Sequence, residues 1–351
     1  MQLVRENKQY ELFERTVEKE TAEPDENWKK SIPAQVFLNH FFAISFHIGQ
    51  ASNAYSLHQN VRFAAHKPQL SGQDLEQLHR HLLNCWSTEH ALRATGQLGG
   101  DAFMRNALHW TFPQAYYSVF AGMQAFLHSL GIRGNSEGLM RREIGRLVVR
   151  GYYPDPIGFY AAGHYDHFTV HRLPLAKYKP GLQLATQELE AQAQIGQFLR
   201  TTRRIIAQGV RQAVQNNPDT ALRSTRTGDV LQKFSQDHWN QLTWRFGYTT
   251  YFDLLCRLRI SANHREIERF VEAEIDFKLF HQSLLDVVEY LNCIHEAYVA
   301  KAMGLEAYRK MVSTLPAHLR DGFVKERLVG KIEPILRMSS PSKEDRLELS
   351  A

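Results

Sequence analysis

Cysteine is scarce in this chain of 351 residues. Cys85, Cys256 and Cys293 are widely spaced and odd in number, so they cannot form a disulfide framework or a zinc site of the Cys-x-x-Cys type. This scarcity predicts a reducing, cytoplasmic environment. The sequence also contains no phosphate-binding P-loop, dinucleotide-binding glycine pattern, serine-hydrolase elbow or His-Glu-x-x-His motif, so none of these enzyme classes is indicated.

Long hydrophobic runs are absent as well. Residues 31–61 and 106–132 carry no Asp, Glu, Lys or Arg, but both contain several His, Asn and Gln. Such polar density would be costly in hydrocarbon, so we expect buried helices and no membrane segment. The first 20 residues mix both signs of charge, so we also expect no secretory signal.

The overall composition is that of a globular protein with a mild positive charge. Hydrophobic residues make up 43% and charged residues 23% of the chain, close to the averages for folded domains. Lys and Arg number 42 against 37 Asp and Glu, a net charge of +5. This excess permits an anionic partner without requiring one.

Apolar spacing predicts a mainly α fold. Pro33 fits a first helical position, Ser71 with Asp74 forms a capping box, and Gly131 fits a helix C-cap. Residues 151–181 have many aromatics and prolines with no helical period, which indicates a loop or a small strand pair. A long helix should follow and break at 216–218.

The longest apolar pattern follows His264. It predicts one helix over about residues 265–302 that acts as the packing spine of the fold or of a dimer. Its heptad positions are Phe270, Phe277, Leu284, Leu291 and Tyr298, with Ala273, Phe280, Val287 and Ile294 three residues later.

These patterns divide the chain into five predicted segments. They are a charged N-terminal segment (1–30), the first part of a helical bundle (31–132), an insertion with an aromatic loop and a basic helix (133–238), the second part of the bundle (239–303), and C-terminal helices with a disordered tail (304–351).

One local cluster, Arg257, Arg259, Asn263 and His264, could carry chemistry. Histidine can transfer protons near neutral pH and arginine can hold a phosphate, so together they suffice to cleave RNA through its own 2′-hydroxyl without a metal. On an unbroken helix Arg257 and His264 share a face, whereas a helix end at Asn263 would let either arginine reach. On composition alone, an exposed helix end with salt bridges to Asp253 or Glu268 is the commoner explanation of these residues.

Two segments resemble HEPN domains. The first, from Gln114 to Gly131, carries Ala115-Tyr116-Tyr117, then Phe120, and is similar to the second HEPN helix. The second, from Leu255 to His264, is similar to the third helix, in which an arginine is followed by two residues, Ala, Asn or Asp, and His or an aromatic. The resemblance covers about residues 71–132 and 239–302.

The resemblance implies an antiparallel helical bundle and a homodimeric, metal-independent endoribonuclease of a toxin or anti-phage system. It implies that His264 is the general acid/base, beside Asn263, and that Arg259 or Arg257 holds the scissile phosphate. The family spacing of four to six residues between Arg and His admits both arginines, and the pattern ending in Ala262 favours Arg259. The alternative is a non-catalytic helical protein that dimerises or holds a partner protein, because Leu258 and Ile260 are apolar where active members are usually polar.

Two further clusters complete the candidates. His164, Asp166, His167 and His171 could ligate a divalent metal, but they have no cysteine support, so we expect no metal site and no cofactor. Residues 200–233 hold seven Lys or Arg against two Asp, which predicts either a solvated helix face or an RNA-binding surface. The RNA-binding candidates are Arg200, Arg203, Arg204 and Arg211.

Overall fold

The computed structural model describes residues 26–51, 55–67, 70–134, 136–164, 167–174, 178, 182–262 and 264–339, with the backbone alone for 26–30 and 264–266. Most of these residues are helical, and one two-stranded sheet is present among them. The mainly α class is therefore confirmed. Most of the charged N-terminal segment and the predicted disordered tail lie outside the described residues.

Most helices and strands follow one another closely, and the two longest intervals between described elements precede and follow the helix Glu188–Asn216. The α-helices are α1 Glu26–Gln50, α2 Val61–Ala64, α3 Gly72–Gln97, α4 Asp101–Asn106, α5 Leu108–Ser129, α6 Glu137–Val149, α7 Glu188–Asn216, α8 Gln236–Leu242, α9 Tyr251–Ser261, α10 His264–Val271, α11 Phe277–Met303, α12 Leu305–Ser313, α13 Ala317–Arg320, α14 Phe323–Arg327 and α15 Glu333–Ser339. The strands are β1 Tyr160–Gly163 and β2 Phe168–His171, and a π-helical turn spans Leu328–Ile332.

Local signals at several element ends are confirmed. The Ser71 hydroxyl accepts a hydrogen bond from the Asp74 N–H, and the Asp74 carboxylate accepts one from the Ser71 N–H, so α3 begins with a capping box. Gly131 takes a φ of +76° just after α5, a conformation that glycine adopts without strain. The strand pair in 151–181 is also present, with Tyr160 opposite His171.

Two prolines lie inside helices instead of at their starts. Pro33 does not begin a helix as predicted, because α1 begins at Glu26, and Pro113 lies inside α5. Ile32 and Phe37 beside Pro33 are buried. Packing of this part of α1 on the core therefore outweighs the hydrogen bond that proline cannot donate.

The predicted helix over 265–302 is two helices, α10 and α11, separated by residues 272–276. Asp276 ends the connection as the N-cap of α11, because its carboxylate accepts a hydrogen bond from the Leu279 N–H at 2.8 Å. The carboxylate of Asp101 accepts another from the Phe277 N–H at 2.7 Å. Two side-chain caps thus satisfy N–H groups that a continuous helix would have used internally.

The apolar seam is buried on both sides of this break. Every one of its nine positions from Phe270 to Tyr298 is buried, and α11 packs against α1, α3 and α5. The seam is therefore the packing spine of the monomer's own core. No described helix has the length and apolarity needed to cross a bilayer.

We expect Leu284→Ala to lower the free energy of unfolding by about 2 to 5 kcal/mol, because it removes a fully buried side chain from this spine and leaves a cavity. Urea denaturation followed by circular dichroism measures the loss. Leu279→Ala on the same helix is the control, since the Leu279 side chain is 44% exposed. Equal effects of the two substitutions would contradict the role of the seam.

The segment 133–238 is divided between two cores. Its first part, including Ile144 and Leu199, belongs to the main core. Ala207 and Val214 of α7 instead pack in a small second cluster with residues of 239–246, among them Trp239. The aromatic loop and the start of α7 are thus integral to the bundle.

Candidate functional site

The two segments that resemble HEPN helices lie against each other. Tyr116 and Phe120 of α5 stack on Phe252 of α9, with ring centroids 6.1 and 6.4 Å apart. Tyr116 also stacks on Phe120 at 5.5 Å. These aromatic contacts fix the position of α9, and therefore of its last turn, relative to α5.

Arg259 is held in that last turn by an acidic and an aromatic partner. Its Nη2 donates to the Glu137 carboxylate at 2.7 Å, and the same carboxylate oxygen accepts the Tyr116 hydroxyl at 2.8 Å. The guanidinium lies over the Tyr116 ring, 5.1 Å from its centroid. Burial and the hydrogen bond to Glu137 raise the pKa of Tyr116, so its hydroxyl stays protonated. Arg259 remains 34% exposed.

Arg257 lies on the opposite side of α9. Its Nη1 donates to the hydroxyls of Thr202 and Thr201 at 2.8 and 3.2 Å, and its guanidinium lies 4.8 Å from the ring centroid of Phe37. Burial and the charge of Arg257 lower the pKa of nearby His40 to about 3. Arg257 thus joins α9 to α7 and α1, whereas Arg259 faces α5 and α6.

The helix that carries Arg257 and Arg259 ends before His264. α9 ends at Ser261, and His264 is the first residue of α10. The helix end considered in the sequence is therefore present, and the facing argument for Arg257 on an unbroken helix does not apply. Asn263 and the side chain of His264 lie outside the described residues, so their catalytic roles stay predictions.

The basic helix α7 uses one of its arginines inside the fold. Arg203 is buried, and its guanidinium donates to the carbonyls of Gly163 and, at 3.0 Å, Gly247, as well as to the Thr249 hydroxyl at 3.1 Å. Burial lowers its pKa to about 10, so it stays charged at neutral pH. Arg203 therefore joins the strand pair to the segment before α9 and does not face solvent.

The other predicted RNA-binding arginines lie nearer the surface. Arg200 and Arg204 are exposed, and the Arg200 guanidinium lies 5.9 Å from the ring centroid of Phe168. Arg211 donates to the Gln232 carbonyl and lies over Phe234. Of the four predicted arginines, Arg200 and Arg204 are thus the two that are exposed.

The histidine loop that could have bound a metal has other contacts. His164 is buried and packs edge-on against Trp239, with His167 at a ring distance of 6.0 Å. His171 stacks on Tyr160 at 4.5 Å. Asp166 lies outside the described residues. The expectation of no metal here stays a prediction.

Sequence reasoning missed a buried ionic network at the centre of the bundle. Glu89 of α3 and Glu296 of α11 are fully buried, and both accept hydrogen bonds from the buried Arg327. Asn292 donates to Glu89 at 2.8 Å, and the Tyr308 hydroxyl donates to Glu296 at 3.0 Å. Burial disfavours the charge of Arg327, but the two carboxylates outweigh it and raise its pKa.

A second layer extends this network toward the surface. Arg93 bridges Glu89 and Glu289, with 2.6 Å to the latter, and Lys331 donates to Glu289 at 2.5 Å and to the Tyr55 hydroxyl at 2.9 Å. Three carboxylates therefore alternate with three cations: Glu89, Glu289 and Glu296 with Arg93, Arg327 and Lys331. We name these six side chains the ionic core.

Two carboxylates of the ionic core, together with Cys85, form a group of side chains with metal-ligand chemistry. The ligand atoms of Cys85, Glu89 and Glu296 lie within 4.8 Å of one another. However, burial and the two carboxylates raise the pKa of the Cys85 thiol, which opposes the thiolate that a metal needs, and Arg327 already neutralises both carboxylates. This arrangement favours a structural role. The sequence signal was Glu89 itself, which continues the apolar stripe of Leu82 and Trp86.

A buried histidine makes the fold sensitive to acid. His295 is fully buried, and its Nε2 lies 2.9 Å from the Tyr153 hydroxyl and 3.5 Å from the Tyr251 hydroxyl. Burial lowers its pKa from 6.5 to about 3. The unfolded chain therefore takes up a proton at this site near pH 6.5, whereas the folded protein does not until about pH 3.

We expect the free energy of unfolding to fall as the pH drops from 6.5 toward 3, with His295 contributing a slope of about 1.4 kcal/mol per pH unit within this window. His295→Gln should remove this one-proton contribution from the slope, whatever its effect on the free energy of unfolding at pH 7. Urea unfolding at a series of pH values measures the slope. An unchanged slope in the variant would contradict a neutral buried imidazole.

The candidate site thus consists of Arg259 at the end of α9 and its two partners, Tyr116 of α5 and Glu137 of α6. In sequence, the start of α10 follows directly after this end of α9. Tyr116 and Arg259 belong to the two segments that resemble HEPN helices and Glu137 belongs to neither, and the resemblance stays an inference from the sequence of those segments alone. No protein family, curated protein or solved structure matches this chain.

Proposed function

We propose that this protein is a metal-independent endoribonuclease of the HEPN type, with its active site at the corner between α9 and α10. The observation that carries the proposal is that Arg259 lies in the last turn of α9, over the ring of Tyr116 in the Ala115-Tyr116-Tyr117 sequence, and that α10 begins five residues later at His264. An arginine and a histidine on either side of one helix break supply the phosphate-binding and proton-transfer groups that RNA cleavage needs.

The chemistry would use groups of the RNA and of this corner. The 2′-hydroxyl oxygen attacks the phosphorus and gives up its proton, the bond from phosphorus to the 5′-oxygen breaks, and the leaving oxygen takes a proton. His264 is the proton-transfer group, and arginine stabilises the charge on the non-bridging oxygens. The products carry a 2′,3′-cyclic phosphate and a 5′-hydroxyl.

Arg259 fits the phosphate-binding role better than Arg257. Its ion pair with Glu137 is partly exposed on both sides, and such pairs contribute roughly 0 to 1 kcal/mol. A phosphate that accepts two hydrogen bonds from the guanidinium can therefore replace the carboxylate. Arg257 already donates to the hydroxyls of Thr201 and Thr202 and lies over the Phe37 ring, so a phosphate there would have to replace contacts that join α9 to α7 and α1.

The proposed active form is a homodimer, as the resemblance implies, in a toxin or anti-phage system. Tyr117 of α5 and Ile260 of α9 are each 52% exposed and flank the Arg259 cluster in sequence. They supply apolar area next to the site for a second copy. Arg200 and Arg204, both exposed on α7, are the proposed contacts to RNA phosphates.

Incubating the purified protein with total RNA in EDTA tests the proposal. We expect cleavage to persist in EDTA and to leave 2′,3′-cyclic phosphate ends, which end-group analysis distinguishes from the 5′-phosphates of most metal-dependent nucleases. Cleavage that needs magnesium would contradict the mechanism. A protein that dimerises and cleaves no RNA under any condition would favour the non-catalytic interaction protein.

A further inference from the structure

A cleft of about 370 Å³ lies at the far end of α5 from the proposed active site. Its walls come from the segment after α2, from the start of α3 and from the end of α5. Tyr116 and His128 are 12 residues apart on α5, so these two side chains begin about 18 Å apart along the helix. Its polar lining residues are Arg62, His66, Lys67, Asp74, His128, Ser129, Arg133 and Tyr152.

The acidic group of this cleft is already neutralised. One carboxylate oxygen of Asp74 accepts from His128 Nε2 and from Arg133 Nη2, both at 2.9 Å, and the other accepts from the Ser71 N–H at 3.0 Å. Hydrogen bonds from Ser71 and His128 hold the pKa of Asp74 well below its ordinary value, with help from the charge of Arg133. Asp74 therefore orients His128 and Arg133 at the mouth of the cleft.

The cations around the cleft are not compensated in the same way. Arg62, Lys67 and Lys301 form no ion pair with any carboxylate in the described part of the chain. Lys301 donates to the Ala64 carbonyl at 3.2 Å instead. Burial and the charge of Lys67 lower the pKa of Lys301. Like charges that crowd one another in this way favour an anion between them.

We propose that this cleft binds the phosphate group of a nucleotide. Arg62 and Arg133 can each present two N–H groups to phosphate oxygens, and Lys67 adds a point charge. The cleft volume is at the small end of ligand pockets, which fits one nucleotide better than a polynucleotide chain. Tyr152, which is partly exposed and whose ring also packs against Phe126 and Tyr298, lies in the wall and is the aromatic residue proposed to contact the base.

This site does not depend on the proposed ribonuclease activity. Its lining residues lie within 62–70, at the start of α3, within 128–133 and at Tyr152, and none of them is in α9 or α10. A protein that binds nucleotides here and cleaves no RNA would contradict the proposed function and support this inference. A protein that cleaves RNA and binds no nucleotide here would support the proposed function and contradict this inference.

Isothermal titration with adenosine 3′-monophosphate and with inorganic phosphate tests the inference. We expect saturable binding of both, with the nucleotide tighter. Lys67→Gln is the key variant, because Lys67 is exposed and its loss leaves the Asp74 cap intact. It should weaken binding about 10- to 100-fold, the loss of one charge-assisted hydrogen bond. Arg133→Gln should do the same.

Arg80→Gln is the matched control, since Arg80 is an exposed cation of α3 that pairs with Glu76 outside the cleft. It should bind both ligands like the parent protein. Equal binding by the parent and the Lys67→Gln variant, or equal weakening by all three substitutions, would overturn the proposal. So would the absence of saturable binding of either ligand by a protein whose circular dichroism shows it to be folded.

Discussion

Replacing Arg327 with methionine should lower the free energy of unfolding by about 3 to 5 kcal/mol. Methionine fills similar space but leaves Glu89 and Glu296 buried near each other without their shared counter-charge. Each carboxylate must then be protonated or hydrated. We expect the loss to be larger at pH 8 than at pH 5, because protonation of one carboxylate relieves the repulsion at acidic pH.

Urea denaturation at both pH values measures this effect. Arg320→Met is the matched control, since Arg320 pairs with Asp321 at the surface, and it should leave the free energy of unfolding unchanged within error. A triple variant in which Glu89 and Glu296 also become glutamine should recover part of the loss, because it removes the unpaired charges. An Arg327→Met protein as stable as the parent would show that the ionic core is not charged as described.

Replacing His264 with alanine should reduce RNA cleavage by about 10²- to 10⁴-fold, the usual contribution of a proton-transfer group. Arg259→Ala should cause a comparable loss, because the phosphate loses its cation. Arg257→Ala should instead act through stability, since Arg257 holds α9 to Thr201 and Thr202 of α7. Single-turnover cleavage of a labelled RNA, together with the melting temperature of each variant, separates the two kinds of effect.

His318→Ala is the control for His264→Ala, because His318 is an exposed histidine outside α9 and α10. It should cleave RNA like the parent. Full activity in His264→Ala would remove the proposed mechanism, even if cleavage itself is observed. A lower melting temperature with unchanged cleavage in Arg259→Ala would assign Arg259 a structural role with Tyr116 and Glu137.

Much of the helical architecture could be predicted because its signals are local. The capping box at Ser71, the glycine after α5 and the end of α7 at Asn216 each depend on a few neighbouring residues. The buried seam could be predicted because apolar residues recur every seven positions along it. This repeat marks the buried positions even where the helix is interrupted. The interruption at 272–276 could not, because it depends partly on Asp101, a residue distant in sequence that caps α11.

The polar contacts inside the protein could not be predicted from sequence patterns for the same reason. Glu89 accepts a hydrogen bond from Arg327, 238 residues away, and Arg203 donates to carbonyls that are 42 and 44 residues away. Periodicity shows that Glu89 lies on an apolar stripe but not which cation compensates it. The candidate site was predicted in part: the structure brings Tyr116 and Arg259 together, while the relation of Arg259 to Glu137 depends on α6, which the sequence assigned to the insertion.

The distance in sequence between Glu89 and Arg327 also sets an order of events during synthesis on the ribosome. At about 5 to 20 residues per second, the 238 residues between them take about 12 to 50 s to be added. Throughout that interval the nascent chain holds Glu89 on the apolar face of α3 with no Arg327 to receive it. Until α14 is made, Glu89 has Arg93 of its own helix as a cation partner but lacks Arg327, so a late-made helix completes the charge balance at the centre of the bundle.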